Sequence, residues 1–170
     1  MIWRGPIVQS AITQLLRDVE WGTKENPLDL LIIDMPPGTG DAHLTLAQKV
    51  ALSGAVIVST PQDLALIDAR KGLEMYRKMD VPILGLIENM SYYCCPNCGH
   101  KDDVFGHGGA RQEAMTLDIN FLGEIPLNGD IRKASDRGEM VTEFYKDIAD
   151  RILESMDDTT QKPFPNIVFE

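Results

Sequence analysis

All three cysteines of the chain fall between Cys94 and Cys98. Thiols crowded together in this way cannot staple a secreted fold, and they point to a metal or redox site in a reducing compartment. Within the cluster, Cys95-Pro96-Asn97-Cys98-Gly99 puts two thiolates on one turn, able to grip a single metal ion or cluster. Two thiolates are half of a four-ligand set, and three completions are open. A twofold dimer could supply the same pair from a second copy, giving four sulfurs around a [4Fe–4S] cluster or a zinc ion. His100 or His107 could finish a zinc site within the chain. The pair could instead act as an oxidoreductase dithiol, although no thioredoxin-like pattern surrounds it. The knuckle also resembles half of a zinc ribbon, but the second pair of an ordinary ribbon is absent from the sequence. Cys94 reads as a bystander. His107, in Phe105-Gly-His-Gly-Gly, reads either as a ligand or as a loop histidine bonded to backbone.

A second group of residues lies at Asp34 to Asp41, DMPPGTGD. An aspartate ending an apolar strand is where P-loop ATPases hold magnesium, usually through water. A glycine four residues later lets a backbone N–H approach the terminal phosphate with no Cβ in the way. Asp34 and Gly38 have that spacing. The plainer alternative is that Asp34 starts a turn and the glycines only provide tight geometry, since D-x-x-x-G is a short pattern. The complementary part should be a glycine-rich loop ending in Lys-Ser or Lys-Thr. The 170 residues contain no Gly-Lys-Ser or Gly-Lys-Thr, and no recognisable switch loop for a second magnesium ligand.

The elements that must position these groups alternate. Ile7, Val8, Ala11, Ile12, Leu15, Leu16 and Val19 recur at helical spacing, with Pro6 suited to a first turn. Asn26-Pro27 signals a turn, and Leu28–Ile33 reads as a buried parallel strand. Asp41 can cap a helix through Leu44, Leu46, Ala47 and Val50. Gly54–Thr60 is a second strand, and Leu64–Met79 a helix with Leu66, Ile67, Leu73, Tyr76 and Met79 as candidate core contacts. Val81–Glu88 is a third strand, after which Asn89–Gly109 breaks the rhythm. A short helix at Ala110–Leu117, a strand at Phe121–Ile125, a helix at Thr142–Met156 and a mobile polar tail at Asp157–Glu170 complete the reading. Such alternation predicts one α/β domain over residues 1–156: a parallel sheet with helices on both faces and a cysteine loop at 94–109. Ligands of such sheets sit beyond the C-terminal strand ends, so Asp34, Gly38, Thr60, Gln62, Asn89 and Pro126 should line one rim.

The chain is 44% hydrophobic and 25% charged, ordinary for a globular protein. Its formal net charge of -10 argues against unspecific binding to nucleic acid or anionic lipid. No apolar run approaches the roughly 20 residues needed to span a bilayer, and no secretory or transit leader is recognisable.

Taken in order, these segments resemble the Mrp-type ATPases, also called ApbC or nucleotide-binding-protein-like proteins. They are a branch of the deviant P-loop group that includes MinD and nitrogenase iron protein. The matching stretches are WRGP (Trp3 to Pro6), DMPPGTGD, STPQD (Ser59 to Asp63) and DARKG (Asp68 to Gly72). They continue with ENMS (Glu88 to Ser91), CPNCG, FGHGGA (Phe105 to Ala110), GEIPL (Gly123 to Leu127) and IRKASDRG (Ile131 to Gly138). The resemblance implies a MinD-like P-loop fold lacking its N-terminal phosphate-loop strand, so that the neighbouring strands expose unpaired edges. It implies a dimeric ATPase passing a labile cluster to recipient apo-proteins, with a [4Fe–4S] cluster bridging two subunits through Cys95 and Cys98 of each. It also implies ATP and magnesium, with Asp34 at the metal, Gly38 at the γ-phosphate, and Asn89 and Pro126 on the base side. No catalytic residue is assigned, because the family's lysines lie in its GKGGVGKS segment. Asn128 stands where many relatives have Asp. The wording of the motifs looks most like mitochondrial members that serve respiratory complex I, which places the protein in the matrix, with the cytoplasm as the alternative. Two other functions compete: a zinc-stabilised binding module without ATPase activity, and a MinD-like positioning ATPase.

Overall fold

The computed structural model describes residues 4–36, 38 and 40–158, and the chain divides into two compact units at Ala51/Leu52. In the first, helix α1 (Arg4–Arg17) and helix α2 (Asp41–Lys49) flank a long irregular segment. The Lys49 ammonium donates to Thr13 Oγ1 at 2.8 Å, joining the two helices. The turn expected at Asn26-Pro27 forms: Thr23 N–H donates to Asn26 O, and Asn26 N–H to Thr23 Oγ1.

Leu28–Ile33 is not a strand. It carries no ladder bonds among the described residues, and Leu28, Leu30, Leu31 and Ile32 are exposed, Ile32 at 83%. The apolar pattern is that of a central strand, but a central strand exists only when neighbours accept its N–H and C=O groups. The helix after it starts on Gly40 as N-cap rather than on Asp41.

The second unit is built on strands β1 (Ala55–Ser59), β2 (Ile83–Cys94), β3 (Lys101–Asp102) and β4 (Phe121–Leu127). Parallel ladders join β1 to β2 and β2 to β4, and β3 pairs antiparallel with the end of β2. Helix α3 (Asp63–Lys78) returns the chain from β1 to β2, and α4 (Gly109–Thr116) precedes β4. Helix α5 (Gly129–Asp136), a 3-10 turn (Thr142–Phe144) and α6 (Lys146–Asp158) follow. Of the expected tail, Asp157 and Asp158 finish α6, and residues 159–170 lie outside the described residues.

Neighbouring residues of β2 show that helices cover both faces of the sheet. Ile87 packs in a buried cluster with Leu122, Ile125 and Ile148 of α6. Glu88, which must point the other way, bonds to the start of α4. ILGLIE is apolar without alternation because it is covered on both sides, whereas AVIVS is covered on one face and only in part on the other. On α3, Leu66, Leu73 and Tyr76 form the buried stripe, while Ile67 lies one step round the helix and is 45% exposed. Among the described residues β1 pairs only with β2, so its outer edge is open, and Val58 is 55% exposed. No described helix is long and apolar enough to cross a membrane.

Beyond Leu28–Ile33, further elements differ from the sequence expectation. Strand β2 runs on to Cys94 instead of ending near Glu88. Polar α5 appears where no helix was expected. The last helix begins only after a 3-10 turn, with Tyr145 N–H bonded to Thr142 O.

Candidate functional site

The cysteines sit on a hairpin made by the extension of β2. After Asn89 the ladder with β4 shifts register and resumes at Tyr93↔Leu127, and beyond it Tyr93 and Cys94 pair with Asp102 and Lys101. Cys95 N–H donates to His100 O at 2.9 Å, and Gly99 N–H donates back to Cys95 O at 2.9 Å. Gly99 closes the turn at φ +71°, a left-handed conformation that glycine adopts without strain. The backbone N–H of Asn97, then that of Cys98, then the Cys98 thiol bond to the Cys95 sulfur and hold its pKa below the ordinary thiol value. Amides directed at sulfur favour the thiolate, which is the form that ligates metal. Cys95 is half-buried, whereas Cys98 and Cys94 are exposed, and the Cys94 thiol faces Gly99 O at 3.7 Å.

Neither histidine completes this pair. Among the described residues no group of three or more His, Cys, Asp or Glu side chains could hold a metal ion. His100 is exposed; His107 stands instead with its Nδ1 3.8 Å from Glu88 Oε1 and its ring edge-on to Tyr92. The described residues thus bring no histidine to the cysteine pair.

The C-terminal rim of the parallel strands gathers Thr60, Gln62 and Asn89. The ladder pairs Ser59 with Glu88 and Asn89 with Ile125, so the residues that follow lie side by side. The Thr60 hydroxyl donates to Gln62 Oε1 at 3.0 Å, and Gln62 is the N-cap of α3. Asn89 Oδ1 accepts the Met90 N–H at 2.9 Å, which supports Met90 at φ +55°. Pro126 lies inside β4 and is buried, not in the loop after it. Asn128 accepts the Asp130 N–H at 2.7 Å and caps α5; Asn and Asp serve equally as caps, so the departure from Asp leaves the cap intact.

In the first unit, Asp34 is exposed. Gly38 has φ +92° and nothing within 4 Å of the place a Cβ would take. Gly40 caps α2 without a side-chain bond, so the helix start offers backbone donors to an anion. His43, one turn in, is buried, which pushes its pKa down against an opposing hydrogen bond with the Gly40 backbone.

Sequence reasoning missed the residue that anchors the start of α4 to β2. Glu88 is fully buried and accepts the N–H groups of Gly108 at 2.9 Å and Ala110 at 2.7 Å. A carboxylate at a helix start gains both the orphan donors and the helix dipole, which offsets its desolvation. The available signal was a charge ending an apolar strand some twenty residues before a Gly-Gly helix start. The DARKG and helix α4 segments are tied as well: Arg70 grips the buried Glu113 through two hydrogen bonds, and this partner raises the Arg70 pKa.

A parallel α/β sheet with polar residues at its C-terminal rim, and an Asp-x-x-x-Gly loop before a helix, are features that nucleotide-binding P-loop proteins share. The chain belongs to the NUBPL family of these proteins: residues 1–162 match the family described as ParA, NUBPL iron-transfer P-loop NTPase. It is 57% identical over 141 residues to the iron–sulfur cluster transfer protein NUBPL of Mus musculus, covering 83% of this chain and 43% of that protein. It is 44% identical over 172 residues to an Arabidopsis thaliana iron–sulfur protein required for NADH dehydrogenase, mitochondrial, covering 96% and 54%. The solved nucleotide-binding protein of Archaeoglobus fulgidus in complex with ADP is 43% identical, with a TM-score of 0.67 over 78% of this chain and 53% of that one. The chain thus spans about half the length of these relatives.

Proposed function

We propose that this chain carries an iron–sulfur cluster and delivers it to apo-proteins, as part of an ATP-dependent carrier. The observation that bears most weight is the cysteine hairpin: two thiols on one turn, backbone amides directed at one sulfur, and no third ligand grouped with them among the described residues. Such a half-set suits a [4Fe–4S] cargo shared between two copies, each giving Cys95 and Cys98. The names of the mouse and Arabidopsis relatives support the iron–sulfur reading, and the latter supports respiratory complex I as recipient and the mitochondrial matrix as the place. The net charge of -10 disfavours the DNA or membrane binding that a positioning ATPase would need.

On the nucleotide side, Asp34 would hold magnesium, and the open backbone at Gly38 would receive the γ-phosphate. Asn89 would border the base. The ADP complex of the archaeal relative supports a nucleotide here. A phosphate-gripping loop, absent from these 170 residues, is required to complete the site. ATP and magnesium supply the charge change that alters dimer geometry and so the hold on the cargo.

Anaerobic reconstitution with ferrous iron and sulfide tests the proposal. The expected product is a brown species with one cluster per two chains, abolished in Cys95→Ala/Cys98→Ala. Stoichiometric zinc at one ion per chain, retained against iron, would overturn it in favour of a zinc-stabilised module.

A further inference from the structure

His107 has no part in the chemistry assigned so far, yet it stands between the most buried charge of the sheet and the cysteine hairpin. That hairpin needs support. Strand β3 is two residues long and exposed at both, and a two-stranded ribbon is marginal by itself. Its other hold on the sheet is the single pairing Tyr93↔Leu127 beyond a register shift.

We propose that His107 is a positioning residue that braces the cysteine hairpin from Glu88, holding the Cys95–Cys98 turn ready for its cargo. The proposal rests on the reading of Cys95 and Cys98 as ligands of that cargo. Glu88 is the fixed point, because moving it would leave a buried carboxylate and two helix-start amides unpaired. His107 Nδ1 lies 3.8 Å from Glu88 Oε1. Its ring meets Tyr92 edge-on, with centroids 6.5 Å apart and planes at 70°, a favourable aromatic geometry. Lys101 Nζ sits 4.4 Å from the centre of the Tyr92 ring. Lys101 is the ladder partner of Cys94, and the carbonyl of the preceding His100 takes the Cys95 N–H. These groups form a series from the interior of the sheet to the first ligand, its step from Glu88 to His107 being 3.8 Å, beyond hydrogen-bond length. Among the described residues His107 is grouped with no set of three side chains that could hold a metal ion.

Cobalt(II) titration of the 170-residue chain, followed by thiolate-to-cobalt charge-transfer absorption, provides the test. His107 is 43% exposed at its side chain, so His107→Leu should fold and melt as the parent does. Its cobalt affinity should fall about 10-fold, the lower range for losing a group that orients metal ligands. His107→Asn, whose amide can replace Nδ1, should recover most of the affinity. Tyr92→Leu should weaken binding by a similar factor, and the double variant with His107→Leu no further, since both break one path. Unchanged affinity in His107→Leu, or additive losses in the double variant, would overturn the brace. A shifted cobalt d–d spectrum in His107→Leu with no rescue by Asn would make His107 a ligand and overturn it too. If the parent chain shows no thiolate–cobalt band, the cysteine reading fails, and the brace falls with it.

Discussion

The cysteine hairpin and the Asp34–Asp41 loop carry the two halves of the proposed chemistry, and they differ in what holds them. The hairpin grows from β2, which pairs with β1, β3 and β4 and whose Leu86 and Glu88 are fully buried. The loop follows a run of apolar residues that face solvent and make no ladder bonds among the described residues. A metal knuckle is a local structure, closed by bonds within about six residues, and needs only a firm strand beneath it. A phosphate site is assembled from strand ends that must first be placed by their neighbours. The same chain can thus present one site ready and the other waiting for a strand.

Supplying that strand should produce the largest effect. This chain alone is expected to show no saturable ATP binding by calorimetry. A version extended by a family-type segment with a strand and Gly-Lys-Gly-Gly-Val-Gly-Lys-Ser loop should bind ATP with magnesium. Hydrogen exchange should report the same event: amides of Leu28–Ile33 exchange freely in the first form and become protected in the second, while those of Leu86–Asn89 are protected in both. Tight ATP binding by the 170 residues alone would mean that the phosphate site lies elsewhere.

Core substitutions sharpen the contrast at the next level. Leu86 is 1% exposed, and Leu86→Ala should cost about 2–5 kcal/mol in urea unfolding. Ile32, 83% exposed, should give a change within about 0.5 kcal/mol when replaced by Ala. In the extended chain Ile32→Ala should become costly. If it already destabilises this chain by a core-sized amount, Leu28–Ile33 is buried in solution, and the difference between the two regions disappears.

The readable and unreadable parts of the molecule divide along the same physical line. Strands at Ala55–Ser59, Ile83–Glu88 and Phe121–Ile125 were legible because a strand covered, wholly or in part, on both faces leaves a plain apolar run. Leu28–Ile33 has the same run, yet periodicity reports what a segment would bury, not whether a partner accepts its backbone. The continuation of β2 into Cys94 depends on Lys101 and Asp102, and no local pattern marks a two-residue strand. Helix α5 is short and mostly polar, capped by Asn128 and packed through Ile131 and Ala134 alone, too few positions to show a helical period. The cysteine pair was legible from spacing, but its lowered Cys95 thiol and the failure of His100 and His107 to join it are matters of three-dimensional placement. Glu88 shows the limit most clearly. A glutamate ending a strand reads as solvent-facing until the helix start that buries it is known.

The smallest effects should appear at two helix starts that the regions treat differently. In the second unit α5 begins on Asn128, whose side chain already holds the Asp130 N–H, so one donor at that helix start is taken. In the first unit α2 begins on Gly40, with no side-chain bond and nothing within 4 Å of a Cβ there. Asn128→Ala should therefore cost about 1 kcal/mol, and Asn128→Asp should cost nothing measurable. Gly40→Ser should do the reverse and raise stability by a few tenths of a kcal/mol, since its φ of −83° suits any residue and the hydroxyl can take a free donor. In the extended chain the same serine should weaken ATP, because it occupies the donors that the phosphate needs. A Gly40→Ser protein that gains stability and keeps full ATP affinity would place the phosphate away from α2. It would also remove the reason for this helix to start without a cap.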